Sequence, residues 1–433
     1  MKKDQWKKRE QGQVVLIIAL AMIGMIGFAA LAIDGGMLYS DRRHAQNAAD
    51  AAAMAGALTR AKNGNPSAIR SSAFNQAIAN GYDNNGTTNW VEIVYPYNGD
   101  PNYVQVKIKA NTNTNFIHLF YHGAAQNQVQ AVGHVNPAGP ISNGNALAAI
   151  NKTACKAIWF TGNGGTDVTG GNVFSNSNAD ANNCQSGVQG GSGHDFVHGQ
   201  DINVVGGWNT NGGAGEVQPA TPNEHVSQEI FKIVPMPDCN GNSLVDRGSV
   251  SVHNNETTEI EPGRYNNISV QGGTLVFKNG LYCIGGTFTT NGGIVKNENP
   301  NNGGILLAVT NSGGDIQING NTEVNIHGYD PTHENFYLKA TDGEKYDYAG
   351  MLIYMAVGNS NPLTINGGAV SSYTGTIYAP SSACDLGGSG DSVGYQSSQV
   401  VCNTVKVSGT AAVDVTYDPQ KVFPLPPSVE LAH

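Results

Sequence analysis

One segment, from Val14 to Ile33, constrains this chain more than any other, because it reads VVLIIALAMIGMIGFAALAI and contains no charged residue. A helix rises about 1.5 Å per residue, so about 20 residues match a hydrocarbon core of about 30 Å. A cleaved signal peptide has a shorter apolar region of about 7–15 residues and a small-x-small exit, which does not fit cleanly here. A buried core helix rarely stays apolar on every face. The segment therefore predicts a retained transmembrane anchor at residues 14–33.

The charges beside this segment predict its orientation. Residues 1–13 contain five Lys or Arg and two acidic residues, a net charge of +3, and such basic tails resist translocation. We expect a cytoplasmic tail at 1–13 and a single-pass protein of the cell membrane whose bulk is extracytoplasmic. The whole chain carries −10, so the part beyond the tail carries −13. This acidic exterior argues against a nucleic-acid partner.

An Ala-rich helix follows the anchor. Asp34 ends the apolar run, and we expect Gly35-Gly36 to allow a kink or a tight exit. The next segment, MLYSDRRHAQNAADAAAMAGALTRAKN, is typical of a strong helix. Its small residues predict a face that another backbone can approach closely, formed by Ala45, Ala48, Ala49, Ala52 and Ala55. That face packs either on its own domain or on other subunits, and the sequence favours neither.

The remaining residues up to 136 predict a small α+β domain over 34–136. A second helix begins at Pro66 and stops at Gly81. Strands at 91–96 and 103–110 form a hairpin through Asn98-Gly99, since that turn joins two runs rich in β-forming residues. A short helix at 116–123 and a strand at 127–135 complete the domain.

Beyond residue 136 short apolar runs alternate with Asn/Gly turns at intervals of about eight to twelve residues. This spacing favours an irregular right-handed β-helix over 137–423, because the turns do not fix consistent hairpins. A β-sandwich is the alternative. The end of the chain, residues 424–433, contains PLPP and predicts an extended Pro-rich tail.

All six cysteines lie beyond the anchor, and an even count in an oxidising compartment favours disulfides. Six cysteines allow 15 pairings, among which sequence cannot choose. The hypothesis adopted here joins sequence neighbours: Cys155 with Cys184, Cys239 with Cys283, and Cys384 with Cys402. The chain contains no CxxC pair, so a zinc ribbon or thioredoxin-like chemistry is not expected.

Several polar groups could form a site, but the sequence favours an ordinary structural role for each. His194 and His198 lie in a Gly-rich segment that predicts a loop, so metal binding on one helix face is not expected. Aspartates 167, 180 and 201 could bind calcium, but turn formation is the ordinary role of such residues. No two carboxylates can be shown to converge as a glycosidase requires, and no GxSxG or P-loop is present. We predict no catalytic residue, no metal and no cofactor.

The N-terminal region resembles tight-adherence (Tad) pilus-assembly proteins of the TadE/TadG-like type. The shared features are GQ before the anchor, AIDGG at its end, and an R-x-x-QNAADAAA-like helix from Arg43 to Ala53. The resemblance covers roughly residues 11–136 and implies a single-pass envelope protein associated with pilus or secretion machinery. Two features depart from the family. Ile17 stands where prepilin-like members carry Glu, and the D-x-S-x-S metal motif of a von Willebrand A domain is absent.

These observations lead to a functional hypothesis. The chain is expected to be a non-enzymatic, membrane-anchored component of a Tad/Flp-type pilus assembly or secretion apparatus, which projects a β-rich domain. Its expected partners are the membrane and other pilus-assembly or envelope proteins. The alternative is a membrane-anchored surface adhesin that binds glycans.

Overall fold

The structure is a computed structural model that describes residues 4–116, 125–180, 187–190, 196–209, 215–299, 301–368, 371–389, 392–410 and 412–432. The chain divides into two compact units. Met1–Ala138 and Pro426–His433 form the α+β unit, whereas Gly139–Leu425 forms the parallel-sheet unit. The second unit is therefore inserted into the sequence of the first.

The α+β unit contains two helices and an antiparallel sheet. The helices are α1, Asp4–Ala61, and α2, Pro66–Ala79. The sheet is formed in order by β1 (Asn89–Val94), β2 (Tyr103–Thr112), β3 (Ala125–Asn136) and the C-terminal strand Ser428–Ala432. The predicted second helix, hairpin and following strand are confirmed. The short helix predicted at 116–123 lies almost wholly outside the described residues.

Helix α1 is continuous through the two glycines where we expected a kink or tight exit, and that expectation is wrong. The helix has 58 residues and is about 87 Å long. A glycine inside a helix costs roughly 1 kcal/mol, but a break would leave several backbone groups without partners beside the membrane. The helical conformation is therefore retained across Gly35 and Gly36.

The segment expected to be an extended Pro-rich tail, 424–433, is instead paired along much of its length. Pro424–Leu425 pairs antiparallel with Gly139–Pro140. Ser428–Ala432 adds a strand to the edge of β3, with Val429 opposite Val135. Leu431 packs against the core of the α+β unit. Residues after PLPP thus alternate polar and apolar side chains, which suits a half-buried strand.

In the parallel-sheet unit, 25 of the described strands form one closed sheet in which neighbouring strands are parallel. The chain passes through three columns of strands in turn and then returns to the first column. The first column contains Asn145–Ala149, Asn172–Ser175, Ile202–Val204, Asn223–Glu224, Gly280–Ile284, Ile305–Val309 and Met351–Met355. The second column contains Ile158–Phe160, Val188–Gly190, Trp208–Asn209, Asp246–His253, Thr287–Thr290, Asp315–Ile318 and Leu363–Gly367.

The third column contains Thr166–Thr169, Phe196–His198, Glu216–Gln218, Thr257–Ile260, Thr274–Phe277, Gly293–Asn297, Thr322–His327 and Ala412–Thr416. Three longer strands each contribute to more than one column, namely Gly263–Gln271, Ser371–Gly388 and Ser392–Gly409. A separate hairpin is formed by Tyr337–Lys339 and Lys345–Asp347. Parallel pairing of this kind does not fit the alternative of a β-sandwich, whose sheets are antiparallel.

The turns of this unit are not stacked in sequence order. The last turn pairs with the first: Val400 lies opposite Leu147, and Val405 lies opposite Ile158. The two ends of the stack are consequently formed by residues 246–260 and by residues 202–224. The segment 225–245 connects these ends along the outside of the first column, and we call it the strap.

The interior of the closed sheet is filled by Val, Ile, Leu and Tyr side chains. Tyrosine hydroxyls there bond to backbone carbonyls, as Tyr373 does with Asn366 O at 2.6 Å. The strap covers a second apolar cluster on the outer side of the first column. Tyr348 donates to Pro235 O at 2.8 Å, and Tyr354 donates to Val234 O at 3.3 Å. Burial raises the pKa of the Tyr348 hydroxyl, so it remains a donor at neutral pH.

Two of the three proposed disulfides are present. Cys239 in the strap joins Cys283 in the first column, and Cys384 joins Cys402 in the next turn of the stack. None of the described cysteines is free. The third predicted pair includes Cys184, which lies outside the described residues.

Candidate functional site

The apolar part of α1 is exposed along its whole length. Its large side chains from Val14 to Ile33 are between 46% and 76% exposed. One helix of the described residues, beginning at Val14, is long and apolar enough to cross a membrane. Such exposure would be costly in water, since each large apolar side chain forgoes about 1.5–3 kcal/mol of burial.

Asp34 marks the place where α1 enters the α+β unit. Its side chain is only 3% exposed, although it follows the exposed apolar segment directly. The carboxylate accepts hydrogen bonds from the backbone N–H of Asn115 at 2.8 Å and of Phe116 at 3.0 Å. A second contact follows one turn later, where Asn127 Nδ2 donates to Leu38 O at 3.2 Å. Asp34 therefore fastens the loop after β2 to the helix at its exit from the apolar segment.

Most of the predicted small-residue face is buried within the α+β unit. The buried members are Ala45, Ala48, Ala49 and Ala52, whereas Ala55 is half-buried. The side chains at 45, 48, 49 and 52 belong to a core that also contains Val106, Ile108 and Val129 of the sheet. The structure thus places this face against the chain's own sheet, which is one of the two alternatives that the sequence left open.

Close contact between α1 and the sheet depends on two glycines. A Cβ at Gly133 of β3 would lie 2.5 Å from Ala53 O, a distance that no real contact allows. A Cβ at Gly56 would lie 3.0 Å from Val104 Cγ1. Helix α2 also adds a bond, from Ser72 Oγ to Ala55 O at 3.2 Å. Helix α1 therefore packs on the sheet through close contact between the two backbones rather than through large side chains.

Two residues of the R-x-x-QNAAD motif bind each other and the sheet. Gln46 Nε2 donates to Asp50 Oδ1 at 2.8 Å and to Gln130 O at 3.0 Å. Sequence reasoning missed this role, although the i, i+4 spacing of Gln and Asp was a usable signal. It also missed that Asp34 holds a loop, for which the signal was an acid directly after an apolar run.

The opposite side of the same helical segment is exposed and has a mixed character. Its members are Tyr39, Arg43 and Asn47, which follow one another at a spacing of four residues. The Arg43 guanidinium lies 6.0 Å from the centroid of the Tyr39 ring, at the limit for a cation–π contact. This surface combines an aromatic ring and Arg, which are residue types enriched in protein interfaces.

The candidate metal ligands named in the sequence come from separate segments of the chain. Among the described residues no group of three or more His, Cys, Asp or Glu could hold a metal ion. His194 lies outside the described residues, and His198 lies in a strand where its ring stacks on Phe196 at 4.7 Å. Asp167 lies in a strand of the third column, opposite Asp414, rather than in a turn.

The aromatic residues on which a sugar could stack divide between the core and the surface. Tyr373 and Tyr378 are buried in the core. Trp159 is half-buried, with Lys156 Nζ 4.9 Å from its ring centroid. Trp208 packs at the margin of the interior core.

Comparison with known proteins identifies the N-terminal part of the chain. Residues 12–60 match the model of the family described as Flp pilus-assembly TadE/G-like. This range contains the apolar segment, Asp34 and the buried Ala face. Neither the curated proteins nor the solved structures contain a match to the chain. The family match and the exposed apolar helix together support a membrane-anchored protein.

Proposed function

We propose that this chain, whose residues 12–60 match the Flp pilus-assembly TadE/G-like family, is a non-enzymatic component of a Tad/Flp-type pilus assembly or secretion apparatus. The observation that carries the proposal is that the matched range of α1 has two parts with different surroundings. Its first part exposes apolar side chains, whereas its second part is buried against the sheet of the α+β unit. A single helix thereby joins a membrane anchor to a folded domain.

The mechanism of this role is mechanical. Residues 1–13 remain cytoplasmic because of their positive charge, residues 14–33 cross the membrane, and the rest is extracytoplasmic. Asp34 and the Ala face hold the α+β unit at the outer end of the span, and other envelope proteins dock on it. The inserted domain, 139–425, is in this proposal an irregular right-handed β-helix held by three disulfides between sequence neighbours.

The orientation is tested by two fusions to the full chain. A fluorescent protein at the N-terminus should fluoresce, and alkaline phosphatase after His433 should be active, because that enzyme works only outside the cytoplasm. The reverse pattern would contradict the proposed topology.

The role in assembly is tested in the native host. Deletion of the gene should abolish surface pili or the secretion that depends on them, and the full chain should restore both. The exposed helix surface provides a sharper variant: Arg43→Ala with Asn47→Ala should fail to restore pili, although the protein reaches the membrane. Ser67→Ala on the first turn of α2, which is also exposed, serves as the matched control. Intact pili in the deletion strain would refute the proposal.

A surface adhesin that binds glycans is the second proposal. The specific observation in its favour is a polar groove on the third column of the parallel-sheet unit, which is described next.

A further inference from the structure

A groove crosses the outer surface of the third column. It has a volume of about 520 Å³ and crosses five successive strands of the stack. Its lining residues are Asp167, Thr169, Asn325, Ser371, Ser372, Gly394, Gln396, Asp414 and Thr416. Gly394 and Ser372 lie at its middle, where the small side chains leave space. Since neighbouring strands lie about 4.8 Å apart, the groove extends over roughly 19 Å.

The side chains of the groove repeat in register from strand to strand. One row contains, in order, Asn325, Ser372, Gly394, Asp414 and Asp167. Beside it, His327, Thr374 and Gln396 lie opposite one another, as do Thr416 and Thr169. Gln396, Thr416 and Thr169 line the groove, whereas His327 and Thr374 line the adjoining cavity. With the exception of the glycine, every member offers a hydroxyl, amide, imidazole or carboxylate. A ligand that repeats its own hydrogen-bonding groups at about the strand spacing would meet a polar side chain at four of the five strands of the first row.

The groove adjoins a second cavity, with which it shares Asn325 and Ser372. This cavity has a volume of about 540 Å³, which is within the range of ordinary ligand pockets. Tyr329 lines it and stacks on Phe336 with ring centroids 4.1 Å apart, so its ring is fixed in position. The cavity therefore provides a place where a chain lying in the groove can end.

The groove selects against several classes of ligand. Its strands have neighbours on both sides, so no free strand edge is offered to an extended peptide. The described residues of its lining also include no large apolar side chain on which a peptide could be anchored. Asp167 and Asp414 bring negative charge, and no Lys or Arg is present among the described residues of its lining. Nucleic acids and anionic glycans would be repelled.

From these observations we propose that the groove binds a linear, non-anionic polysaccharide, with successive sugars placed over successive strands. Pyranose rings have a length close to the strand spacing and present hydroxyls on both edges. The site is built on strands of a closed sheet, so its polar groups are held in position before the ligand arrives. This site specifies the ligand and the location of the adhesin alternative, and it does not depend on a role in pilus assembly.

The experiment uses the full chain in lipid nanodiscs and measures binding by titration calorimetry. The probes are hexamers of β-1,4-linked glucose, N-acetylglucosamine and glucosamine, with a hexamer of galacturonate as the anionic comparison. We expect at least one of the first three to bind and the galacturonate hexamer to show no heat. Absence of binding by all three uncharged or cationic probes would overturn the proposal, as would preference for galacturonate.

Two variants locate the binding. Gly394→Trp should fill the groove and weaken binding at least tenfold. The backbone should tolerate this change, because a Cβ at Gly394 would lie at an ordinary contact distance of 3.6 Å from Gln396. Thr364→Trp places the same side chain on the second column, whose outer surface does not line the groove, and should leave affinity unchanged. If Gly394→Trp does not fold, Gln396→Ala should reduce affinity about three- to tenfold, as expected for one lost hydrogen bond. Equal affinity in the groove variants and the control would also overturn the proposal.

The outcomes separate this inference from the proposed assembly role. Loss of sugar binding in Gly394→Trp, together with normal pili after gene deletion in the native host, would support the groove alone. Loss of pili on gene deletion without any sugar binding would support the assembly role alone and refute the groove.

Discussion

At the level of single residues, three positions are the most informative about how the fold is held together, because a polar or small residue is buried or closely packed at each of them. Asp34 is buried at the end of an exposed apolar helix, Gly133 lies against the backbone of α1, and Asp414 faces another carboxylate. A single substitution at each position should change the hydrogen exchange or the thermal stability of the protein in a measurable way.

Replacing Asp34 by Ala should loosen the loop after β2. The carboxylate accepts bonds from two backbone amides, and hydrogen bonds to charged groups contribute about 1.5–3 kcal/mol. Hydrogen exchange at Asn115 and Phe116, measured by mass spectrometry in nanodiscs, should therefore become at least tenfold faster. Asp41→Ala, at an exposed position on the same helix, is the matched control. Unchanged exchange in the Asp34 variant would mean that the carboxylate does not hold the loop.

Replacing Gly133 by Ala should separate α1 from β3. The added methyl group would lie 2.5 Å from Ala53 O, and overpacking of this kind costs typically 1–3 kcal/mol. The α+β unit should then lose protection from hydrogen exchange over 45–57 and 125–136. Gly394→Ala makes the same change on a strand with room for the methyl group, and it should have little effect. Equal effects of the two substitutions would contradict this account of the helix–sheet contact.

Asp414 should make stability depend on pH. Burial and the charge of Asp167 raise the pKa of its carboxyl above the ordinary value of about 3.9. A raised pKa means that its contribution to stability is fully present below the unfolded-state pKa and is lost as the pH rises through the folded-state pKa. Asp414→Asn should accordingly raise the thermal midpoint at pH 7 but not at pH values below the ordinary Asp pKa. Asp201→Asn, at an exposed position, should change neither.

At the level of elements, the strap connects the two ends of a stack in which the last turn of the chain pairs with the first. It runs from the end formed by 202–224 to the end formed by 246–260 and contacts the first column on the way. Asn176 Nδ2 donates to Glu229 O at 3.0 Å near one end, and the disulfide from Cys239 to Cys283 fixes the other. The strap therefore closes a long loop across the outside of the sheet.

The two described disulfides should differ in their contribution to stability. The Cys239–Cys283 bond spans 44 residues and the Cys384–Cys402 bond spans 18. In the loop-entropy account the longer loop contributes about 0.8 kcal/mol more. Thermal unfolding of the two double Cys→Ala variants should show the larger loss for the strap pair. A larger loss from the Cys384–Cys402 pair would show that packing around buried sulfur outweighs loop closure.

The elements that sequence could predict were those set by local patterns. The apolar segment, the helix after Pro66 and the Asn98-Gly99 hairpin each depend on neighbouring residues. The pairing of Val400 with Leu147 could not be found in this way, because parallel strands far apart in sequence leave no local signal. The same holds for the bond from Asp34 to residues 115 and 116, which required the loop to return to the helix. The groove was missed because its members come from five separated strands.

At the level of the whole molecule, the parallel-sheet unit is an insertion between β3 and the C-terminal strand of the α+β unit. The first and last residues of the insert, Gly139–Pro140 and Pro424–Leu425, pair with each other. The insert thereby begins and ends at one place, as insertions tolerated by a host domain usually do. Because the two ends of the insert are close together, the α+β unit can keep its sheet although the last strand of that sheet lies almost 300 residues further along the sequence.

Removal of residues 426–433 should therefore damage the α+β unit although these residues are the last of the chain. The deletion exposes the edge of β3, removes the packing of Leu431 and breaks the contact of Glu430 with His134 at 3.1 Å. Hydrogen exchange should accelerate over 125–136, whereas strands of the third column such as Thr322–His327 should keep their protection. Glu430→Ala removes only the contacts of this carboxylate with His134 and Asn136, and it should have a much smaller effect, since exposed contacts of this kind contribute at most about 1 kcal/mol. Unchanged protection of β3 after the deletion would show that the last strand is dispensable for the α+β unit, whose sheet would then be held by β1, β2 and α1 alone.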